Sequence, residues 1–106
     1  MQSPLITIIT VVLNDEENIE KTILSVLNQK YKNIQYVIID GESKDRTKNI
    51  IEKYRNNIDT FISEKDKGIY DAFNKGLSYA KGDLIGFVNS GDTLTEDSLI
   101  YLSKYY

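Results

Sequence analysis

Apolar residues along this chain switch repeatedly between a strand-like run and a helix-like spacing. Ile6-Thr7-Ile8-Ile9-Thr10-Val11-Val12-Leu13 is β-branched and apolar nearly throughout, which suits a central parallel strand covered on both faces. Asn14 and Asp15 end it. Ile19, Ile23, Val26 and Leu27 then fall at i, i+4, i+7 and i+8, one apolar helical face. Asp15, Glu16 and Glu17 precede that face, where a first helical turn favours negative charge. Tyr36-Val37-Ile38-Ile39 predicts a second strand, and Ser43 a cap for a helix carrying Ile50, Ile51 and Tyr54. Thr60-Phe61-Ile62 predicts a short third strand; Ile69, Phe73, Leu77 and Ala80 mark a third helix. Leu84-Ile85-Gly86-Phe87-Val88 predicts a fourth strand, and Thr95 opens a last helix with Leu99 and Leu102 on one side. Strands alternating with helices imply an α/β fold: a three-layer, mainly parallel, doubly wound sheet.

Composition narrows the chemistry. The 106 residues, 41% hydrophobic and 27% charged, fit one domain with a modest core. A formal net charge of -3 disfavours a nucleic-acid partner held through its phosphates. The chain has no cysteine and no histidine. Thiolate nucleophiles, disulfides, common zinc sites and the usual general base are therefore excluded. Metal binding falls to oxygen ligands, which suit Mg²⁺ or Mn²⁺. No Gly-x-Gly-x-x-Gly follows the first strand and no Gly-Lys-Ser/Thr loop occurs, against dinucleotide oxidoreductases and P-loop NTPases. Met1-Gln2-Ser3-Pro4 lacks a basic stretch, and Leu5 to Leu13 is too short to span a bilayer. A cytoplasmic location is the expectation.

Two acidic turns follow apolar strands: Asp40-Gly41-Glu42-Ser43-Lys44-Asp45 and Asn89-Ser90-Gly91-Asp92. An α/β sheet presents ligand-binding groups at the carboxyl ends of its strands, so two such turns suggest a crevice. Asp92 reads either as a turn-stabilising or helix-capping aspartate or as a hard-cation ligand, with Ser90 and Asn89 adding oxygen. Asp40 reads as a turn residue or as an acceptor for a base or ribose. Lys44 and Arg46 read as solvated side chains within reach of a phosphate. Ser63 to Gly68 alternates charge like a solvated loop. Asp71 and Lys75, at i and i+4, form an exposed pair worth a few tenths of a kcal/mol.

In order and spacing, the segments Ile8–Asn14, Ser25–Gln29, Val37–Thr47, Glu64–Gly76 and Gly82–Asp92 resemble glycosyltransferase family 2, the A-type (GT-A) nucleotide-sugar-dependent transferases. The resemblance implies a Rossmann-like GT-A sheet and a nucleotide diphosphate-sugar donor. It places Val11, Leu13 and Asn14 at the nucleotide pocket and Asp40 near the base or ribose. Asp66, Lys67 and Gly68 would border the nucleotide. Ser90 and Gly91 would begin the family's Asp-x-Asp position, and Asp92 would bind a divalent metal, Mg²⁺ or Mn²⁺, bridging the diphosphate. Two departures stand out. Gly41 replaces the second of two aspartates that many relatives carry, and Ser90 replaces the first acid of Asp-x-Asp.

The family's acceptor half and catalytic base lie downstream of Asp-x-Asp. No catalytic residue is therefore assigned, and residues 1–106 are expected to be a single donor-binding half, truncated after the fourth strand and helix. Little or no transferase activity is expected of this chain by itself. For the whole protein, the resemblance implies a sugar or lipid-linked acceptor and synthesis of cell-surface glycan. A homo-oligomer formed through the open edge of the fourth strand is a further expectation.

Overall fold

A computed structural model describes residues 3–106; Met1 and Gln2, read above for their lack of basic charge, lie outside the described residues. The elements run β1 (Ile6–Val12), α1 (Ile19–Leu27), β2 (Ile34–Asp40) and α2 (Thr47–Glu52), then a short 3₁₀ turn, β3 (Thr60–Ser63), α3 (Ile69–Tyr79), β4 (Leu84–Phe87) and α4 (Ser98–Ser103). The strands form one parallel sheet in the order β3-β2-β1-β4. Val12 pairs with Asp40 and Ile9 with Phe87. The order reverses between β1 and β4, and such a reversal opens a crevice at the carboxyl ends of the two strands.

Strand periodicity divides the core. Ile6, Ile8 and Val12 of β1 and Tyr36 and Ile38 of β2 face Ile19, Ile23 and Val26 of α1, Ile51 of α2 and Leu99 of α4. The alternate residues Ile9, Val11, Val37 and Ile39 face Ala72 and Phe73 of α3. Both faces are covered, which explains why β1 is apolar nearly throughout instead of alternating. Thr10 keeps its place in this apolar strand because its hydroxyl meets the Tyr36 hydroxyl at 2.9 Å.

Several boundaries differ from the sequence expectation. β1 stops at Val12, and Leu13 leaves the sheet 57% exposed. Ser43 does not cap α2, which begins at Thr47. Its hydroxyl instead donates to the Asp40 carboxylate and accepts the Asn14 backbone N–H. Asp15 to Glu17 lie before α1, in a turn closed by Asn18 and Ile19 N–H groups on the Asp15 carbonyl. α4 begins at Ser98, whose hydroxyl pairs with that of Thr95 at 2.8 Å. No helix among the described residues is long and apolar enough to cross a membrane.

Candidate functional site

The loops leaving β1 and β2 are locked together. Asn14 N–H donates to Ser43 Oγ (2.8 Å), Lys44 N–H to Asn14 Oδ1 (2.7 Å), Asp15 N–H to Thr47 Oγ1 (2.9 Å) and Glu16 N–H to Asp45 Oδ2 (3.1 Å). Backbone groups that have left the sheet thus find side-chain partners roughly thirty residues away, as buried peptide groups must. Asn14 and Glu42 adopt left-handed φ values of 49° and 67°, a conformation that asparagine tolerates and glutamate disfavours.

Asp40 does not face the crevice. It is 0% exposed, and its carboxylate accepts the Ser43 N–H (2.9 Å), the Ser43 hydroxyl and the Ser63 hydroxyl (2.8 Å). Those contacts occupy its carboxylate and make it the knot of the β2 and β3 termini. Asp45 is likewise spent on the N–H groups of Glu16 and Thr47.

A crevice of about 380 Å³ opens between β1 and β4. The end of β1 contributes Val11 and Val12 and the turn after it Leu13, Asn14 and Asp15; the loop before α3 contributes Asp66 and Gly68, and α3 itself Ile69 and Ala72; the turn after β4 contributes Asn89 and Ser90. Of the residues singled out from the sequence, Val11, Leu13, Asn14, Asp66, Gly68 and Ser90 line it. Lys67, Gly91, Asp92 and Asp40 are not among its lining residues. The sequence reading missed Asp15, Ile69 and Ala72. In sequence Asp15 fits a helix-dipole residue equally well; its position just past a buried strand is the signal for a site role.

The loop that carries Asp66 is tied down. Lys75 Nζ reaches Glu64 at 3.2 Å, Asp71 at 3.6 Å and the Lys65 carbonyl at 3.0 Å. Its side chain is only 22% exposed, so this is a three-way anchor, not the exposed pair expected. Burial works against the Lys75 charge, but Glu64 and Asp71 outweigh it and raise its pKa. The Lys67 N–H donated to Asp71 (2.9 Å), reinforced by Lys75, lowers the Asp71 pKa. Gly68, at φ 118°, and Gly91, at φ 97°, permit the sharp turns on either side of the crevice. The room a side chain at Gly41 would need is taken by Asp66, whose Oδ2 lies 2.9 Å from the place of a Cβ. Asp66 also accepts the Gly68 N–H at 3.1 Å.

Asp92 is different from the other aspartates. Its backbone is held, the N–H by the Asn89 carbonyl (2.9 Å) and the carbonyl by the Thr22 hydroxyl (2.8 Å). Its side chain is exposed and has no hydrogen bond or ion pair among the described residues. Every other aspartate has at least one: Asp59 and Asp83 hold the N–H groups of Tyr36 and Leu5, Asp97 pairs with Lys30, and Asp15 accepts Asn18 Nδ2 and Ser90 Oγ.

No group of three or more His, Cys, Asp or Glu side chains among the described residues could hold a metal. The mouth of the crevice offers oxygen instead. Ser90 there has a hydroxyl and Asn89 an Oδ1 that is buried without a hydrogen-bond partner among the described residues, and the Asp92 carboxylate follows two residues on in the chain. Such a set fits a hard divalent cation whose remaining ligands are water and phosphate oxygen.

Fold and crevice together define a doubly wound α/β domain with a crevice at the switch point of its parallel sheet. The sequence pattern of glycosyl transferase family 2 matches residues 7–106, and the chain belongs to that family. It is 40% identical over 103 residues to an uncharacterized glycosyltransferase of Haemophilus influenzae, covering 93% of this chain and 41% of that protein. Over 99 residues it is 33% identical to TuaG of Bacillus subtilis, named for teichuronic acid biosynthesis, covering 91% and 39%. The chain therefore spans about two fifths of the length of these curated relatives. Staphylococcus aureus TarS 1–349, solved in complex with UDP-GlcNAc, superposes with a TM-score of 0.87 at 26% identity, over 94% of this chain and 30% of that one. The mannosyltransferase PcManGT of Pyrobaculum calidifontis, solved with GDP-Man and Mn²⁺, shares the fold with a TM-score of 0.84 at 21% identity, over 92% and 31%. The expected GT-A architecture is thereby established.

Proposed function

We propose that the crevice binds a nucleotide diphosphate-sugar, and that the whole protein transfers the sugar to an acceptor hydroxyl in the synthesis of a cell-surface polysaccharide. The observation that carries this reading is Asp92: a carboxylate without a partner among the described residues, on a fixed backbone in the turn after β4. TarS crystallised with UDP-GlcNAc and the name of TuaG support the donor class and the polysaccharide. Leu13, Ile69 and Ala72 give the nucleoside an apolar wall, and Asp66 offers it a hydrogen-bond acceptor. Asp92, Ser90 and Asn89 would hold a divalent cation. Bound there, the cation would neutralise the diphosphate and stabilise the departing nucleoside diphosphate. Inverting transfer also needs a carboxylate to deprotonate the acceptor. We assign that role to no residue of 1–106, so this chain by itself is expected to bind donor with little or no turnover.

Calorimetric titration of UDP and of GDP, with Mn²⁺ and with EDTA, tests the reading on the wild type and on Asp92→Ala. Manganese-dependent binding lost in the variant is the expected result. Binding of neither nucleotide, or binding indifferent to Asp92, refutes it. A second reading, a self-associating α/β module, is favoured by one observation: Ile85 and Phe87 of the edge strand β4 are each 44% exposed.

A further inference from the structure

We propose that Asp15, acting through Ser90, supplies the negative charge that the first acid of an Asp-x-Asp motif would bring to the cation site. The inference rests on the reading of the crevice given above. Ser90 occupies the motif's first position, and a neutral hydroxyl there leaves Asp92 as a lone carboxylate. The fold brings a second one from another loop. Asp15, in the turn that follows β1, accepts the Ser90 hydroxyl proton on Oδ2 at 2.7 Å. The same oxygen lies 3.8 Å from the place a Cβ on Gly91 would take, so the carboxylate reaches along the Ser90-Gly91-Asp92 turn. Asp15 and Ser90 both line the crevice, beside the unpartnered Asn89 Oδ1.

The chemistry follows from where the proton is committed. A serine hydroxyl has one proton and two lone pairs. With its proton directed at Asp15, Ser90 Oγ turns lone pairs away from that carboxylate and becomes a more basic oxygen donor. Asp15 is held for this role from two sides. Its Oδ1 accepts Asn18 Nδ2 at 2.9 Å and its backbone N–H is bonded to Thr47 Oγ1 at 2.9 Å. Asp15 is thus a positioning residue whose charge acts on the cation through Ser90, as hydrogen-bonded carboxylates commonly tune metal ligands.

The test is titration of Mn²⁺ in the presence of saturating UDP or GDP, whichever binds more tightly, with free Mn²⁺ read by electron paramagnetic resonance. Asp15→Asn is expected to weaken Mn²⁺ binding by about tenfold to a hundredfold, the usual range for losing a group that orients a ligand. Asp92→Asn is expected to abolish it. The double variant Asp15→Asn/Ser90→Asp, which puts the carboxylate back at the first motif position, is expected to recover most of the loss. A purely structural tie between the β1 and β4 loops would not be rescued in this way. An Asp15→Asn affinity within about twofold of the wild type, or a double variant no better than Asp15→Asn, overturns the proposal while leaving the donor-binding reading intact. A wild type with no manganese-dependent nucleotide binding removes both. Should Asp15→Asn unfold, Ser90→Ala carries the test: a similar loss supports the proposal and no loss overturns it.

Discussion

Replacing Asp40 with alanine separates a structural carboxylate from a ligand-binding one. The variant strips the partner from the Ser43 N–H and from the Ser43 and Ser63 hydroxyls. Ser43 is 1% exposed, so water cannot readily take over its N–H. An orphaned buried donor costs about 1–3 kcal/mol, and each hydrogen bond to a charged group is worth about 1.5–3 kcal/mol. The Ser43 hydroxyl cannot simply swing away, because its oxygen is also the acceptor for Asn14 N–H. The terms are not additive, and about 3–5 kcal/mol is the expected loss, a large share of the stability of a domain whose total is about 5–15 kcal/mol. Asp40→Asn keeps one oxygen for the Ser43 N–H and should lose only about 1–2 kcal/mol. Urea unfolding midpoints, compared at constant slope, measure both. The reasoning fails if Asp40→Ala stays within about 0.5 kcal/mol of wild type while nucleotide affinity collapses, because the carboxylate would then be meeting the ligand.

Other substitutions probe how the crevice is supported. Gly76→Ala places a Cβ 2.5 Å from Ile9 Cγ2 where α3 lies on β1. Overpacking of about 1–3 kcal/mol outweighs the gain in helix propensity of about 1 kcal/mol, and a lowered melting temperature is expected. The Asp71 carboxyl is held below its ordinary value of 3.8, chiefly by the Lys67 N–H. Its contribution is therefore complete above that value and is lost as the pH falls through the lower folded value. Asp71→Asn should flatten that part of the acid unfolding curve, and an unchanged curve would count against the anchor. Ile85→Lys should reduce any self-association through the β4 edge. Sedimentation equilibrium showing a wild-type monomer at high concentration would remove the need for that edge contact.

The strands were legible because their chemistry is local. Runs such as Ile6 to Val12 and Tyr36 to Ile39 suit burial on both faces, and with helical patterns between them they point to a parallel sheet flanked by helices. The ends of those strands were not legible. Asp40 and Asp92 present nearly the same local signal, an aspartate in a glycine-containing turn after an apolar strand. Their difference depends on Ser43 and Ser63, which fold onto Asp40, and on the lack of any such partner near the Asp92 side chain among the described residues. Asp15 was obscured by the same difficulty. Its acidic run read as a helix terminus, whereas its partner Ser90 lies 75 residues along the chain. Ser43 likewise looked like a helix cap, since nothing nearby in sequence shows that it must satisfy the N–H of Asn14.

An acidic chain, with net charge -3 and pI near 4.9, is a poor host for a diphosphate unless its local charges are managed. At the crevice they are managed in two ways. Asp66 and Asp15 spend part of their charge on the Gly68 N–H, Asn18 Nδ2 and the Ser90 hydroxyl, whereas Asp92 spends none among the described residues. A phosphate oxygen about 4 Å from that carboxylate is opposed by about 4 kcal/mol at an effective dielectric constant near 20. This corresponds to about a thousandfold in affinity. On the proposed reading, a divalent cation held by Asp92 would turn that repulsion into attraction. The free carboxylate would then be a liability without metal and a contributor to binding with it. Chelation should therefore do more than remove one contact: it should expose a repulsion that Asp92→Ala relieves. In EDTA, the alanine variant is expected to bind nucleotide no worse than the wild type, although with Mn²⁺ it binds far less well. A variant weaker than the wild type under both conditions would mean that Asp92 holds the ligand directly and not through a cation.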